Sequence, residues 1–283
     1  MEDGASGGAP EPLLDALGDD PVTLELWKQA GAKVDGVLVK FEPGMLREIL
    51  KTAPQEFTQH ARNPANSVRI GGKNVVFSPS YGSPFVMDLD KGRRYGTIED
   101  FRNLVKLAYM APALHHSGGT VCEPVDVAIP KRHLHITASS IRHSDKSFMG
   151  PVTHPERAAD AVRMCELVFG PEFVHDNAVM VGLVNGNSPL VWDATMIGAL
   201  RVYARSGQAL VVAPFTLAGA NTPASATATV ARATPMRTCS LGSPAPTTPA
   251  SRSTAHPDRT RRASASMAHQ LFALNHGHIG SAR

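Results

Sequence analysis

The sequence predicts an α/β fold of the (β/α)8 TIM-barrel type, and three observations carry that prediction. Short apolar runs at Phe85–Met87, His116–Val121, Ser147–Gly150, Val179–Val184 and Leu210–Ala213 recur about every 31–32 residues. A helical segment lies between neighbouring runs, and strand alternating with a ~12-residue helix at one period marks parallel βαβ units. No G-x-G-x-x-G follows the first run, which disfavours a dinucleotide-binding sheet. A barrel of such units needs roughly 250 residues.

Residues 1–20, rich in Gly, Pro and Asp, are expected to be disordered. Residues 21–84 predict an N-terminal extension of helices and a hairpin. Pro21 opens a helix carrying Val22, Leu24, Leu26 and Trp27, which Gly31 ends. Lys33–Phe41 alternates like a strand, and Pro43 opens a helix with Met45, Leu46, Ile49 and Leu50 on one face. Ser67–Phe77 reads as a hairpin, SVRI and NVVF around Gly71-Gly72. Residues 85–230 then carry the partial barrel. Thr97 with Asp100 forms a capping-box start for the helix bearing Phe101, Leu104, Val105 and Leu107. Pro130 opens Lys131–His143, Pro155 opens Glu156–Phe169, Asp193 caps Ala194–Arg205, and Thr222-Pro223 starts a further helix.

The pattern then stops. A sixth strand is due near residues 240–246, where Cys239–Pro246 carries two prolines that would remove ladder donors. The barrel therefore reads as truncated after about five βα units, leaving the fifth strand with an open edge. Composition changes at the same place. Residues 231–283 hold seven Arg, one acid (Asp258), no Lys and no Glu, and 35 of them are Ala, Ser, Thr, Pro or Arg. Such a tail is expected to be disordered. It also matches what a GC-rich gene yields out of frame, so a frameshift is expected near codon 230, checked by translating the other two frames.

The formal net charge of +3 averages a body of −3 and a tail of +6. With no aromatics interleaved among the tail arginines, it argues for neither nucleic acid nor a membrane surface as partner. At 42% hydrophobic and 19% charged, the composition excludes fibrous and wholly disordered classes. No apolar run approaches the ~20 residues of a bilayer span. The acidic start MEDGASGGAPEP lacks the apolar core of a secretory signal. Cys122, Cys165 and Cys239, widely spaced, predict reduced thiols in a cytoplasm.

Barrel enzymes carry their chemistry at the C-terminal strand ends. The segments there are Tyr81–Asp88, His115–Pro124, Lys146–Pro155, Gly182–Asp193 and Ala213–Pro223, rich in Gly, Ser and Pro. Close approach of backbone to a ligand needs such residues, and ordinary turn chemistry explains them equally. The fourth segment is the more telling. Asn185, Asn187 and Ser188 offer amides and a hydroxyl beside Trp192, and polar groups next to an aromatic face suit a small cation. His115-His116 and His133-x-His135 look like metal ligands, but adjacent strand residues point to opposite faces and an i, i+2 helical pair also diverges. No Cys or carboxylate stands at zinc spacing from them, so no metal is expected. Cys122 and Cys165 lack the setting of a reactive thiolate. No G-x-S-x-G, P-loop or H-E-x-x-H is present. The residues alone reach a barrel-type enzyme with a small-molecule site and no assigned reaction.

The stretch Gly186–Ser225, GNSPLVWDATMIGALRVYARSGQALVVAPFTLAGANTPAS, resembles the trimethylamine methyltransferase family of corrinoid-dependent methylamine and betaine demethylating enzymes. VVFSPSYGSPFVMD, the helix around Thr97–Ala108 and HHSGGTVCEP resemble the same family, over roughly residues 12–230. The resemblance implies a (β/α)8 barrel that moves a methyl group from a tertiary or quaternary methylamine, trimethylamine or a betaine, to the cobalt of a corrinoid (cobalamin) carried by a partner protein. It implies no cofactor bound directly, a cytoplasmic role in methylamine metabolism or methanogenesis, and room for a homo-oligomer. On it, Asn185, Asn187, Ser188 and Trp192 are expected near the amine, with Tyr81, Gly119, Lys146 and Pro214-Phe215 at the mouth. Lys146 reads equally as surface charge. Pyrrolysine, where family members use it, falls in the later region this sequence does not match. Two other readings stand beside this one: an inactive truncated member, and another barrel enzyme acting on a small amine.

Overall fold

The computed structural model describes residues 14–18, 20–51, 54, 56–186 and 191–214. The expectations for residues 1–13, the Thr222-Pro223 helix start and the 231–283 tail lie outside them. The segment expected to be disordered nevertheless ends in a strand, β1 (Leu14–Gly18). Its ladder comes from partners that local composition does not reveal. Next, Asp20 caps α1 (Pro21–Gln29) by accepting the Thr23 N–H at 2.8 Å, and Gly31 follows the helix at φ 97°. Lys33–Phe41 is not one strand. Gly36, at φ 58°, folds it into a hairpin of β2 (Lys33–Asp35) and β3 (Leu38–Phe41) with Asp35 opposite Leu38. Buried Trp27 meets Phe41 edge-on, ring centroids 4.7 Å apart.

After α2 (Met45–Leu50) come β4 (Glu56–Gln59) and β5 (Val68–Gly71), paired antiparallel. This corrects the hairpin expected at Ser67–Phe77: SVRI pairs backwards with Glu56–Gln59, and NVVF forms no strand. The local Gly-Gly signal was real as a turn, but the partner lay on the other side in sequence. A second correction concerns Phe85–Met87, expected as the first parallel strand. It belongs to β6 (Phe85–Asp88), antiparallel to β7 (Gly92–Tyr95) through a tight turn with Gly92 at φ 65°.

The helices follow their caps. In α3 (Ile98–Met110), Thr97 and Asp100 form the reciprocal capping box, and Asp100 also holds Arg94 through both carboxylate oxygens. Then come α4 (Ile129–His143), β8 (Phe148–Gly150), α5 (Pro155–Phe169) and a short α6 (Pro171–Asp176). β9 (Met180–Gly186), β10 (Val191–Trp192), α7 (Ala194–Arg205) and β11 (Ala209–Pro214) complete the described chain. Asp193 caps α7 by accepting the Met196 N–H at 2.9 Å.

Of the five expected parallel strands, three form a sheet in the order β8-β9-β11, and a fourth touches it through one parallel bridge between His116 and Ser147. β1 lies between β3 and β10, with Gly18 opposite Trp192. Side-chain alternation sends Phe148, Met180, Val184 and Leu210 to one face. These pack into one core with Ala161, Val162 and Cys165 of α5 and Ile197, Leu200 and Tyr203 of α7. Full burial of each large side chain contributes on the order of 2 kcal/mol.

Candidate active site at the strand ends

Gly150 and Gly182 are paired across β8 and β9. A Cβ at Gly182 would stand 2.7 Å from the Tyr203 ring, and one at Gly150 would stand 2.4 Å from its hydroxyl. Both positions therefore face the helix layer, where fully buried Tyr203 donates its hydroxyl to Pro151 O at 2.7 Å. Period-two alternation then assigns Met149, Val181, Leu183 and Asn185 to the opposite face. Gly119 joins them there, because a Cβ on it would lie 3.5 Å from Met149 and 3.6 Å from the Tyr81 ring. Gly118, at φ 80°, presses against Pro79, and its carbonyl accepts the Met149 N–H at 2.9 Å. The Tyr81 segment is fixed by Gly82 N–H on Thr120 O at 2.7 Å and Glu123 N–H on Ser83 O at 2.9 Å.

The structure thus gathers Tyr81, Gly119 and Asn185 on one face toward the C-terminal strand ends, with half-buried Met149, which sequence reasoning had passed over. Burial pushes the Tyr81 phenol above its usual range, so it stays a neutral O–H donor. Asn185 pairs with Ala213 across β9 and β11. Trp192 is held through its backbone opposite β1. Asn187, Ser188 and Phe215 lie outside the described residues.

Lys146 is elsewhere. It precedes β8 and so sits at the opposite, N-terminal end. Its ammonium donates to three carbonyls, Ala108 at 3.1 Å, Ala111 at 3.0 Å and Leu114 at 2.8 Å. It satisfies the C-terminal end of α3, a cation at the negative end of the helix dipole. The expected place at the mouth is corrected accordingly.

That N-terminal end forms a floor of matched polar groups. Fully buried Gln59 donates to Phe148 O at 3.0 Å and Val179 O at 3.4 Å, and His116 Nε2 stands 3.2 Å from Gln59 Oε1. His116 Nδ1 accepts the Gly118 N–H at 2.9 Å, so the ring is the neutral Nε2–H tautomer donating to Gln59. Burial holds its pKa down at about 3. Gln208 accepts from Val179 N–H at 2.9 Å and Met180 N–H at 3.2 Å while donating to Val174 O at 2.6 Å. His115, by contrast, stacks on Phe77, so the adjacent histidines serve separate partners. Burial raises the Cys122 and Cys165 thiols to about 11 and about 12, leaving both protonated.

A closed polar floor, a tightly packed helix face and an opposite face that ends in glycines, an amide and a phenol define an α/β protein with a candidate small-molecule face at its strand ends. The chain belongs to the trimethylamine methyltransferase family, whose model matches residues 14–239. It is 44% identical over 208 residues to the glycine betaine methyltransferase of Desulfitobacterium hafniense (strain Y51), covering 73% of this chain and 43% of that protein. It is 23% identical over 216 residues to the proline betaine:corrinoid methyltransferase of Eubacterium limosum, covering 71% and 43%. The chain therefore spans less than half the length of either curated relative. No described helix is long and apolar enough to cross a membrane.

Proposed function

We propose that the chain carries part of a (β/α)8 methyltransferase that moves a methyl group from a quaternary or tertiary methylamine, glycine betaine before trimethylamine, to the cobalt of a corrinoid protein. The observation that carries this is the 44% identity to a glycine betaine methyltransferase. The name of the second relative, a betaine:corrinoid enzyme, supports the acceptor. Reduced corrinoid supplies the nucleophile, and everything else falls to positioning.

Tyr81 offers a ring to the trimethylammonium head and a neutral hydroxyl to the carboxylate of the betaine. The amide oxygen of Asn185 orients the same head from β9, joined by Asn187, Ser188 and Trp192 of the following segment. Gly119 adds no side chain between Met149 and Tyr81, which leaves the N-methyl group open to an approaching partner. The methyl carbon exchanges its C–N bond for a bond to the nucleophile, and the electron pair leaves on nitrogen as a neutral amine.

The test is methyl transfer to a reduced corrinoid protein by the purified chain, with glycine betaine and trimethylamine as donors. Demethylation of glycine betaine supports the reading. A cooperatively melting chain that neither demethylates nor binds glycine betaine overturns it in favour of a non-catalytic member.

A further inference from the structure

A cleft of about 780 Å³ opens between α3 and α4, with Met164 of α5 at one side. Its volume is that of a small-molecule site. It shares no residue with the face that carries Tyr81, Gly119 and Asn185. On α3, Glu99, Arg102 and Lys106 recur at i, i+3 and i+7 and so lie along one stripe. From α4, His135, Arg142 and His143 face them.

The charges do not balance. Glu99 is the only carboxylate in the lining, and it is shared, 3.3 Å from Arg102 and 3.9 Å from Lys106. Arg142 has no ion-pair partner among the described residues. Histidines aside, Arg102, Lys106 and Arg142 against Glu99 leave two positive charges uncompensated. His143 registers this field: burial and then the charges of Lys106, Arg102 and Arg142 hold its pKa down. Apart from Ser139, the rest of the wall is apolar, with Leu134 and Ala138 on α4 beside Met164.

We propose that this cleft binds a small organic phosphate, its dianionic head held by Arg102, Lys106 and Arg142 and its apolar body against Leu134, Ala138 and Met164. Two uncompensated charges match a phosphate dianion better than a single carboxylate. Arginine forks reach two phosphoryl oxygens at once, and a dianion permits His143 to take up a proton and add a further donor.

The test is calorimetric titration of the full 283-residue chain at neutral pH and low salt with phenyl phosphate, inorganic phosphate and benzoate. Phenyl phosphate should bind at least about tenfold more tightly than either of the others, the first comparison isolating the body and the second the charge. The His143 ring should titrate at higher pH in its presence. Joint Lys106→Gln and Arg142→Gln substitution should weaken binding by about tenfold or more without lowering the melting temperature. The proposal fails if phenyl phosphate does not saturate below about 10 mM, or if benzoate binds as well. It fails equally if the double variant melts like the parent and keeps its affinity. Should the double variant misfold, Arg142→Lys replaces it, and unchanged affinity there combined with an unmoved His143 titration also overturns the site.

Discussion

At the N-terminal ends of β8, β9 and β11, Gln59, His116 and Gln208 are buried, and each is tied to named carbonyls or N–H groups. At the other end of the same strands stand glycines, a half-exposed tyrosine and the amide of Asn185. The floor spends its polar groups on the protein itself, so each is fixed and desolvated. The mouth keeps polar groups near solvent, where a ligand can replace water. On the proposed function the same sheet divides stability and recognition between its two ends, and substitutions at each end should separate the two properties.

The largest effect on stability belongs to the floor. Gln59→Leu leaves Phe148 O, Val179 O and the His116 Nε2–H without their partner. Each abandoned buried group costs about 1–3 kcal/mol, so a total of about 3 kcal/mol or more should appear as a lowered urea midpoint. A loss under about 1 kcal/mol would mean that water reaches the floor and that it is not closed. Next is Gly182→Ala. Its Cβ would meet the Tyr203 ring at 2.7 Å, inside a packed core that cannot yield freely. Overpacking of this kind costs about 1–3 kcal/mol, and the thermal midpoint reads it. Gly119→Ala, whose nearest neighbours stand at 3.5 Å, should cost far less.

The floor also sets an acid limit. His116 is neutral when folded, with a pKa near 3 against 6.5 for a free ring. The unfolded chain takes up a proton below about pH 6.5 that the native ring refuses, so stability is complete above that pH and declines as pH falls toward 3. The slope is up to about 1.4 kcal/mol per pH unit, or about 2 kcal/mol by pH 5. Denaturant midpoints measured from pH 7 to pH 5 on the parent and on His116→Gln should converge as the pH falls. Parallel curves would show that the ring is hydrated.

Local signals predicted the helices well. Thr97 with Asp100, Pro155 and Asp193 each begin a helix where a side chain or a missing N–H already favours one. The strands were legible only as apolar runs, because pairing is non-local. Phe85–Met87 had the right period, yet its ladder partner was Gly92–Tyr95, a few residues away. Gly119 and Asn185 could be placed by counting along a strand, whereas Tyr81 precedes its strand and reaches the same face through the loop that pairs with Thr120. Lys146 failed the same count because it stands before its strand rather than after it, at the end where α3 needs a cation. Gln59 carried no signal at all, since a lone glutamine in a polar stretch shows nothing of the two carbonyls it will meet.

The smallest effect on stability, and the sharpest contrast, belongs to the mouth. Tyr81→Phe and Asn185→Ala remove polar atoms from half-exposed positions, away from the floor and the packed helix face. Each should change unfolding free energy by no more than about 0.5 kcal/mol. If these groups hold a betaine, glycine betaine affinity and its demethylation should each fall by roughly tenfold, the worth of one good polar contact. Asn185→Ala should act on the cationic head and weaken trimethylamine as well. Tyr81→Phe keeps the ring and loses the hydroxyl, so it should weaken the betaine while sparing trimethylamine, which has no carboxylate. A Tyr81→Phe chain that loses both donors alike would place the hydroxyl in structural support, and the division between floor and mouth would then move one residue further up the strands.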